Sequence, residues 1–208
     1  MTLDFTARTL RPKITKLLPA FLTQFPTFEG NSHIDETKLS KSIAWKECES
    51  YLNMDESVPS VAWEAGTKAA LKRFVEFCND KTEGLKHFDS LRNDPNLNFI
   101  SSNMSPWINY GHVSFQRLAL DAKALHRHPN GTAAFIEEGI VRRELSDNFI
   151  YYKRDNYDQL SAAAQWAQDS LQLHSIDKRE YVYTLNELET AQTHDKLWNA
   201  AQVSFRFV

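Results

Sequence analysis

The sequence has little of several residue types that commonly carry chemistry. Only six glycines are spread over its 208 residues, and they form no glycine-rich phosphate-binding loop. Its two cysteines, Cys48 and Cys78, have no metal-ligand spacing, and no HExxH motif occurs, so we expect no zinc site. Both cysteines are predicted to be buried thiols, as in a protein of a reducing compartment.

Long apolar segments and a net positive charge are also missing. No apolar run approaches the ~18 residues of a membrane-spanning helix, and the first residues lack the apolar core of a secretory signal. We therefore expect a soluble, intracellular protein with no membrane partner. Since the net charge is −3, nucleic acid could be bound only through a local cluster of basic residues. The candidates are Lys123, Arg127, Arg142, Arg143, Lys153 and Arg154, and the alternative for each is a solvated helix face.

Helical periodicity dominates what is present and predicts an all-α, multi-helix protein. The clearest segment is 61–79, where Ala65, Leu71, Phe74, Val75 and Cys78 recur at helical spacing. Other helices are predicted over 34–54, 82–91, 106–110, 112–127, 132–151, 158–173, from 184 onward and over 195–208, with VSFRFV at the end also weakly typical of a strand. Aromatic residues make up 12% of the chain and predict a densely packed aromatic interior.

Prolines and turn residues are expected to interrupt these helices. Three prolines in residues 1–29 should allow only short or broken helices there. Residues 128–131 (HPNG) predict a turn, after which Thr132 would cap the next helix. Thr184 and Glu187 have the spacing of a capping box.

A serine-rich stretch precedes one short helix. Within RNDPNLNFISSNMSPWINYGHVSFQR (92–117), Ser101, Ser102 and Ser105 come just before Pro106. A serine cap followed by proline in the first turn predicts a helix start. The free backbone N–H groups of such a start, with hydroxyls beside them, suit a phosphate group, and a plain helix cap is the alternative.

A charged stretch follows at 135–152, FIEEGIVRRELSDNFIYY. Glu138 and Arg142 are four residues apart and would share one helix face. One interpretation is a surface helix with internal salt bridges, its apolar residues turned to the core.

These two stretches, with LNELETAQTHDKLWNAAQ at 185–202, resemble the class II cyclobutane pyrimidine dimer photolyases. ARTLRPKITKLLPAF (7–21) resembles the segment that joins the two domains of that family. The resemblance implies an interdomain segment at 1–30 and the N-terminal part of a helical FAD-binding domain at 31–208. That domain would be incomplete at its carboxyl end, and the antenna-chromophore domain would be absent. Gly139 departs from the larger apolar residue usual in the family and is expected to loosen its helix by roughly 1 kcal/mol.

The resemblance also implies roles for individual residues. Ser101, Ser102, Asn103, Met104 and Ser105 would wrap the pyrophosphate of FAD. Phe88 stands where the family usually has a tyrosine that touches the flavin, so stacking is kept and a hydroxyl contact is lost, and Phe135 would pack near the adenine-side wall. Glu138 matches the glutamate that hydrogen-bonds the dimer, Arg142 and Arg143 would contact DNA, and Trp198 matches one tryptophan of the electron relay.

The implied activity is that of a carbon–carbon lyase. Reduced FAD would absorb blue light and split cyclobutane pyrimidine dimers in UV-damaged DNA, in the nucleus or another DNA-containing compartment. As a monomeric fragment, the chain is expected to have little or no activity alone. Two alternatives are a cryptochrome-like flavoprotein photoreceptor and a cofactor-free helical interaction module.

Overall fold

The computed structural model describes residues 6–27, 44–52, 55, 57 and 60–207. All the regular structure in these residues is helical, which confirms the all-α prediction for this part of the chain. The chain divides into two compact units, Met1–Tyr152 and Lys153–Val208. None of the described helices is long and apolar enough to cross a bilayer. Residues 34–43 of the predicted first helix lie outside the described residues.

The first unit contains eight described α-helices and one π-helical turn. They are α1 (Ala7–Phe21), α2 (Trp45–Ser50), α3 (Thr67–Cys78), α4 (Gly84–Leu91), α5 (Ser105–Asn109), α6 (Phe115–Ala124), α7 (Pro129–Ile136), the π turn (Glu137–Arg142) and α8 (Arg143–Tyr152). The predicted helix at 61–79 starts late, because Gly66 has φ 101° and breaks the periodicity just before Thr67.

Aromatic rings form the core of the first unit, as the composition predicts. The ring of Phe135 is surrounded by those of Phe74, Phe77, Phe88 and Phe115, with centroids 4.9–5.7 Å away. Such tilted and edge-to-face arrangements add to the free energy gained from burial. These rings come from α3, α4, α6 and α7, so the core holds those helices together.

The prediction that Cys48 is buried was wrong, and the periodic residues of α3 are buried only in part. Val75 shares the periodic pattern of α3 but is 65% exposed, because the buried face is made by Ala70, Phe74, Phe77 and Cys78. Of the cysteines, Cys78 is buried, and burial raises the pKa of its thiol to about 12. Cys48 is exposed instead, since the short helix α2 has no buried residue among those described.

The prolines do not interrupt the first helix, which corrects another prediction. Helix α1 runs for 15 residues through Pro12 and Pro19. Each proline removes a backbone donor and costs helix stability. The tertiary contacts of α1 offset that cost. Leu10 is buried, and the Arg11 guanidinium donates to both oxygens of Glu137, from Nε at 2.9 Å and from Nη2 at 2.6 Å.

The Arg11–Glu137 pair makes the stability of the first unit depend on pH. The Arg11 hydrogen bonds hold the pKa of Glu137 below its ordinary value of 4.5. A carboxyl with a lowered folded-state pKa adds stability above pH 4.5, and this is lost as the pH falls through the folded-state value. We expect Arg11→Ala to lower the urea midpoint at pH 7 and to lower it less at pH 2.5, where protonation of Glu137 weakens the pair.

Arg8→Ala is the matched control, since Arg8 is exposed on the same helix and its loss changes net charge equally. It should leave the midpoint near that of the unaltered chain at both pH values. An Arg11→Ala deficit of equal size at pH 7 and pH 2.5 would contradict the pair's contribution.

The predicted turn at 128–131 is the first turn of a helix instead. His128 has φ 50° and α7 begins at Pro129, so Thr132 lies inside the helix and does not cap it. Asp80 fixes this helix start from the end of α3. It accepts from Arg127 Nη1 at 2.7 Å and lies 2.7 Å from His128 Nε2. Arg127 is therefore part of an interhelical clamp, with Nη2 also donating to the Cys78 carbonyl at 3.1 Å.

In the second unit the described helices are mostly exposed. They are α9 (Gln165–Leu173), α10 (Leu185–Glu189) and α11 (Lys196–Phe207), with 3₁₀ turns at Leu160–Ala162 and His174–Ile176. The capping box is confirmed, because Thr184 and Glu187 each bond the other's backbone N–H. The VSFRFV segment is helical through Phe207, so the strand alternative is wrong there.

Candidate cofactor and substrate site

The serine loop, residues 101–105, links the end of the α4 region to α5. Met104 is 1% exposed and anchors the loop in the core, whereas Ser101, Ser102 and Asn103 are half-buried. The predicted serine cap was wrong: Ser105 is the first residue of α5, and Met104 occupies the cap position without a side-chain bond. Because α5 has only five residues, its dipole adds little to this site.

The backbone of the serine loop offers a row of unused donors. Among the described residues, no acceptor is bonded to the N–H groups of Ser101, Ser102, Asn103, Met104 and Ser105. The hydroxyls of the three serines likewise have no partner in the described part of the chain. Asn103 has φ 55° and Met104 has φ −82°, ψ −9°. Left-handed and right-handed residues in succession turn neighbouring N–H groups to one side and form an anion-binding concavity.

One open cavity of about 530 Å³ brings the serine loop to the charged stretch. Ser102 and Ser105 line it together with Glu138 and Arg143. The remaining lining residues are Met104, Ile108, Asn109, Phe115 and Gly139. Residues predicted from two separate sequence stretches, the serine loop and the charged stretch, therefore line the same cavity.

A π-helical turn determines where the two adjacent glutamates point. Glu138 does not pair with Arg142 as its spacing predicts, but accepts from Arg92 Nη2 at 3.1 Å. Glu137 lies 3.5 Å from Arg142 Nε and also binds Arg11. The reason is the wider helix: in a π turn residues five apart align, so Arg142 falls next to Glu137.

Gly139 lies in this π turn, directly beneath the ring of Phe115. A Cβ atom on Gly139 would lie 1.9 Å from that ring. From the sequence alone, only a looser helix is expected at this glycine. The structure gives it a packing role, because it allows Phe115 to close one side of the cavity.

Phe88 and Phe135 lie in the hydrophobic core. They are 6% and 3% exposed, and neither is among the residues that line the cavity. Their ring faces contact other phenylalanines of the core. The guanidinium of Arg92 lies over the Phe88 ring, 5.7 Å from its centroid. Phe88 therefore helps to position Arg92, which donates to Glu138.

The two arginines predicted to contact DNA are exposed. The Arg142 side chain is 52% exposed and the Arg143 side chain 63%. Arg143 lines the cavity and lies 3.8 Å from Asp147, whereas Arg142 faces Glu137. Exposed ion pairs of this kind are weak and leave the arginines available to other anions.

Trp198 belongs to the second unit, on the first turn of α11, and is 39% exposed. Asp195 caps this turn and accepts from the N–H groups of Leu197 at 2.8 Å and Trp198 at 3.0 Å. Thr193 and Asn199 form two further backbone–side chain bonds across the same turn. The THDKLWN sequence is thus a compact helix-starting structure that fixes the backbone of Trp198.

Two arginines near the cavity were missed by sequence reasoning. Arg92 binds Glu138, and Arg73 on α3 donates to the carbonyls of Ser101 and Ser102. Both are single basic residues in ordinary polar positions, so neither has a local sequence signal. Their contacts join residues 28 to 46 positions apart, which only the fold determines.

No protein-family model matches the chain, but individual proteins are similar to it over nearly its whole length. It is 43% identical over 202 residues to a deoxyribodipyrimidine photo-lyase of Potorous tridactylus, covering 96% of this chain and 37% of the relative. A rice protein of the same name is 38% identical over 205 residues, covering 97% and 40%. Another, from Methanothermobacter thermautotrophicus, is 39% identical over 199 residues, covering 96% and 42%. Over nearly all of its length the chain is thus similar in sequence to deoxyribodipyrimidine photo-lyases, and it spans about two fifths of the length of these relatives.

Proposed function

We propose that this chain is the part of a class II photolyase that holds the phosphates of FAD and presents Glu138 to a pyrimidine dimer in UV-damaged DNA. The observation that carries the proposal is the serine loop: its five N–H groups have no acceptor among the described residues, and three of its residues line a cavity together with Glu138. The names of the similar proteins support it, since each describes light-dependent action on a linked pyrimidine pair in DNA.

The chemistry of the donor set fits a diphosphate. Phosphate oxygens only accept hydrogen bonds, and the loop supplies backbone N–H groups and three serine hydroxyls that have no acceptor in the described part of the chain. No phosphate-binding lysine is needed, since a concave row of N–H groups binds anions by itself. The aromatic contacts fit less directly. Because Phe88 and Phe135 are buried, we propose that they support the cavity wall and do not stack on the flavin.

When bound and reduced, FAD supplies the electron that blue light drives into the dimer. The protein's own contribution in this region is to orient the dimer. Glu138 can accept from a pyrimidine ring N–H, or in its protonated form donate to a pyrimidine carbonyl. Arg92 holds the Glu138 carboxyl group at 3.1 Å, so the group is oriented before a substrate arrives.

Two further roles complete the proposal. Arg142 and Arg143 would meet DNA phosphates beside the cavity, since both are exposed and cationic. Trp198, held by the Asp195-capped turn, would relay electrons to the flavin in a protein of the relatives' full length. Repair itself is proposed for a protein of the relatives' full length, since this chain spans two fifths of it.

The test of this proposal compares FAD with riboflavin, which lacks phosphates. We expect the 208-residue chain to bind FAD at least about tenfold more tightly than riboflavin, since the donors of the loop bind only the diphosphate, which riboflavin lacks. Replacing Ser101, Ser102 and Ser105 together by alanine should reduce that preference. Titration of flavin fluorescence measures both affinities. Equal affinity for the two flavins would contradict a phosphate site at the loop.

The repair arm uses a full-length version of the protein, loaded with reduced FAD and illuminated with a dimer-containing oligonucleotide. Glu138→Ala should abolish most repair while leaving the FAD preference intact. Undiminished repair by that variant would remove Glu138 from the proposal. Flavin binding without any repair by the full-length version would favour the photoreceptor alternative.

A further inference from the structure

Arg73 reaches from the middle of α3 to the serine loop. Its Nε donates to the Ser102 carbonyl and its Nη2 to the Ser101 carbonyl, each at 3.3 Å. The side chain is 24% exposed, and the next residue on α3, Phe74, is buried in the aromatic core. The loop is therefore fastened at two consecutive carbonyls to a helix that the core holds in place.

Peptide geometry gives this contact a consequence for the opposite side of the loop. A trans peptide is planar, with its C=O and N–H pointing in opposite directions, and no peptide bond of this chain is cis. The Ser101 carbonyl shares a peptide with the N–H of Ser102, and the Ser102 carbonyl shares one with the N–H of Asn103. Binding both carbonyls to Arg73 thus points both N–H groups away from it.

We infer that Arg73 is a positioning residue for phosphate binding, which rests on the function proposed above. It holds two successive peptides of the serine loop so that their N–H groups are oriented before a phosphate arrives. Its positive charge also polarises those peptides, and hydrogen bonds in a chain strengthen one another. The loop thereby gains some of the effect of a cation although the guanidinium lies on its other side.

The two-carbonyl contact requires arginine in particular. A guanidinium presents several N–H groups in a fixed fork, so a single side chain can bind two neighbouring carbonyls. A lysine ammonium is a compact charge on a flexible stem and would hold one carbonyl at a time. Lysine at position 73 should therefore restore only part of what alanine removes.

The experiment measures FAD and riboflavin affinity for the unaltered chain, Arg73→Ala and Arg73→Lys. We expect Arg73→Ala to weaken FAD roughly tenfold, with riboflavin affinity unchanged, and Arg73→Lys to fall between. Arg127→Ala is the matched control, because Arg127 also donates to a main-chain carbonyl, that of Cys78, but lies outside the cavity. It should leave the FAD preference as it is.

A second readout separates positioning from direct contact with the phosphates. In ligand-free protein, Arg73→Ala should shift the ¹H–¹⁵N resonances of Ser102 and Asn103, because their peptide planes lose the bonds that orient them. Unchanged resonances together with weaker FAD binding would overturn positioning, since Arg73 would then act on the ligand directly. If Arg73→Ala weakened the affinity for FAD and for riboflavin equally, the role of Arg73 would be structural only, and the positioning role would be overturned.

The two proposals fail in different ways. If the unaltered chain shows no preference for FAD over riboflavin, the phosphate site fails and this inference fails with it. If the unaltered chain prefers FAD and Arg73→Ala keeps the full preference, only the role of Arg73 is wrong.

Discussion

Replacing Phe135 by alanine is expected to lower the free energy of unfolding of the first unit by about 3–5 kcal/mol. The side chain is 3% exposed, and its ring is packed among four other phenylalanine rings. Alanine would leave a cavity between helices from four parts of the chain, which cannot all move inward. Phe135→Leu keeps most of the volume and should cost less than half as much. Urea unfolding followed by circular dichroism measures both losses.

Tyr151→Ala is the control for losing an aromatic side chain, because Tyr151 is 76% exposed on α8. It should change the unfolding free energy by less than about 0.5 kcal/mol. The same variants also decide between two roles for Phe135. If Phe135→Ala weakens FAD binding without loss of stability, the ring forms part of the cofactor wall, as the resemblance implies. A large loss of stability supports the core position seen in the structure.

Local sequence patterns correctly predicted features that depend only on residues close together in the chain. The helix at 82–91 is observed as Gly84–Leu91, and the Thr184–Glu187 capping box has both of its hydrogen bonds. These features need only spacing along one helix or the bonds of a single turn. The all-α class follows from the same periodicity, repeated along the described part of the chain.

The predictions that were wrong concern features that depend on tertiary contacts. Helix α1 continues through its prolines because its buried face and Arg11 are held by the rest of the first unit. Glu138 does not pair with Arg142, because the π turn alters which residues align on the helix surface. The composition of the segment gives no indication of such a turn. The partner that Glu138 takes, Arg92, comes from another helix end.

The sequence singled out several residues that line the cavity, and their roles stay predictions, but it did not predict the geometry of the cavity. The serine loop and Glu138 do share a cavity. The donors, however, come from a concave loop and not from a capped helix, because α5 is too short and Ser105 lies inside it. The orientation of that loop depends on Arg73, a residue without a sequence signal. The sequence resemblance thus indicates the candidate residues of the site, and contacts with side chains elsewhere in the fold determine how those residues are oriented.

The second large effect is expected at Gly131, where α7 crosses α4. A Cβ atom on Gly131 would lie 1.8 Å from the Leu85 carbonyl oxygen, well inside van der Waals contact. Since the obstacle is main chain, it cannot rotate aside, and the two helices must separate. We expect Gly131→Ala to cost about 3 kcal/mol or more, at the upper end of overpacking effects. Asn130→Ala, at an exposed position of the same helix, should cost almost nothing.

Gly139→Ala offers a sharper comparison, because its obstacle is a side chain. The ring of Phe115 can turn away from a new methyl group, so Gly139→Ala should destabilise the unit less than Gly131→Ala. Equal losses at the two glycines would contradict this difference. Gly131 also connects packing to the site: α4 ends next to Arg92, and α7 leads directly into the π turn that carries Glu138. Separating these helices should therefore lengthen the 3.1 Å contact between Arg92 and Glu138, so residual folded Gly131→Ala protein should present a poorly oriented carboxyl group.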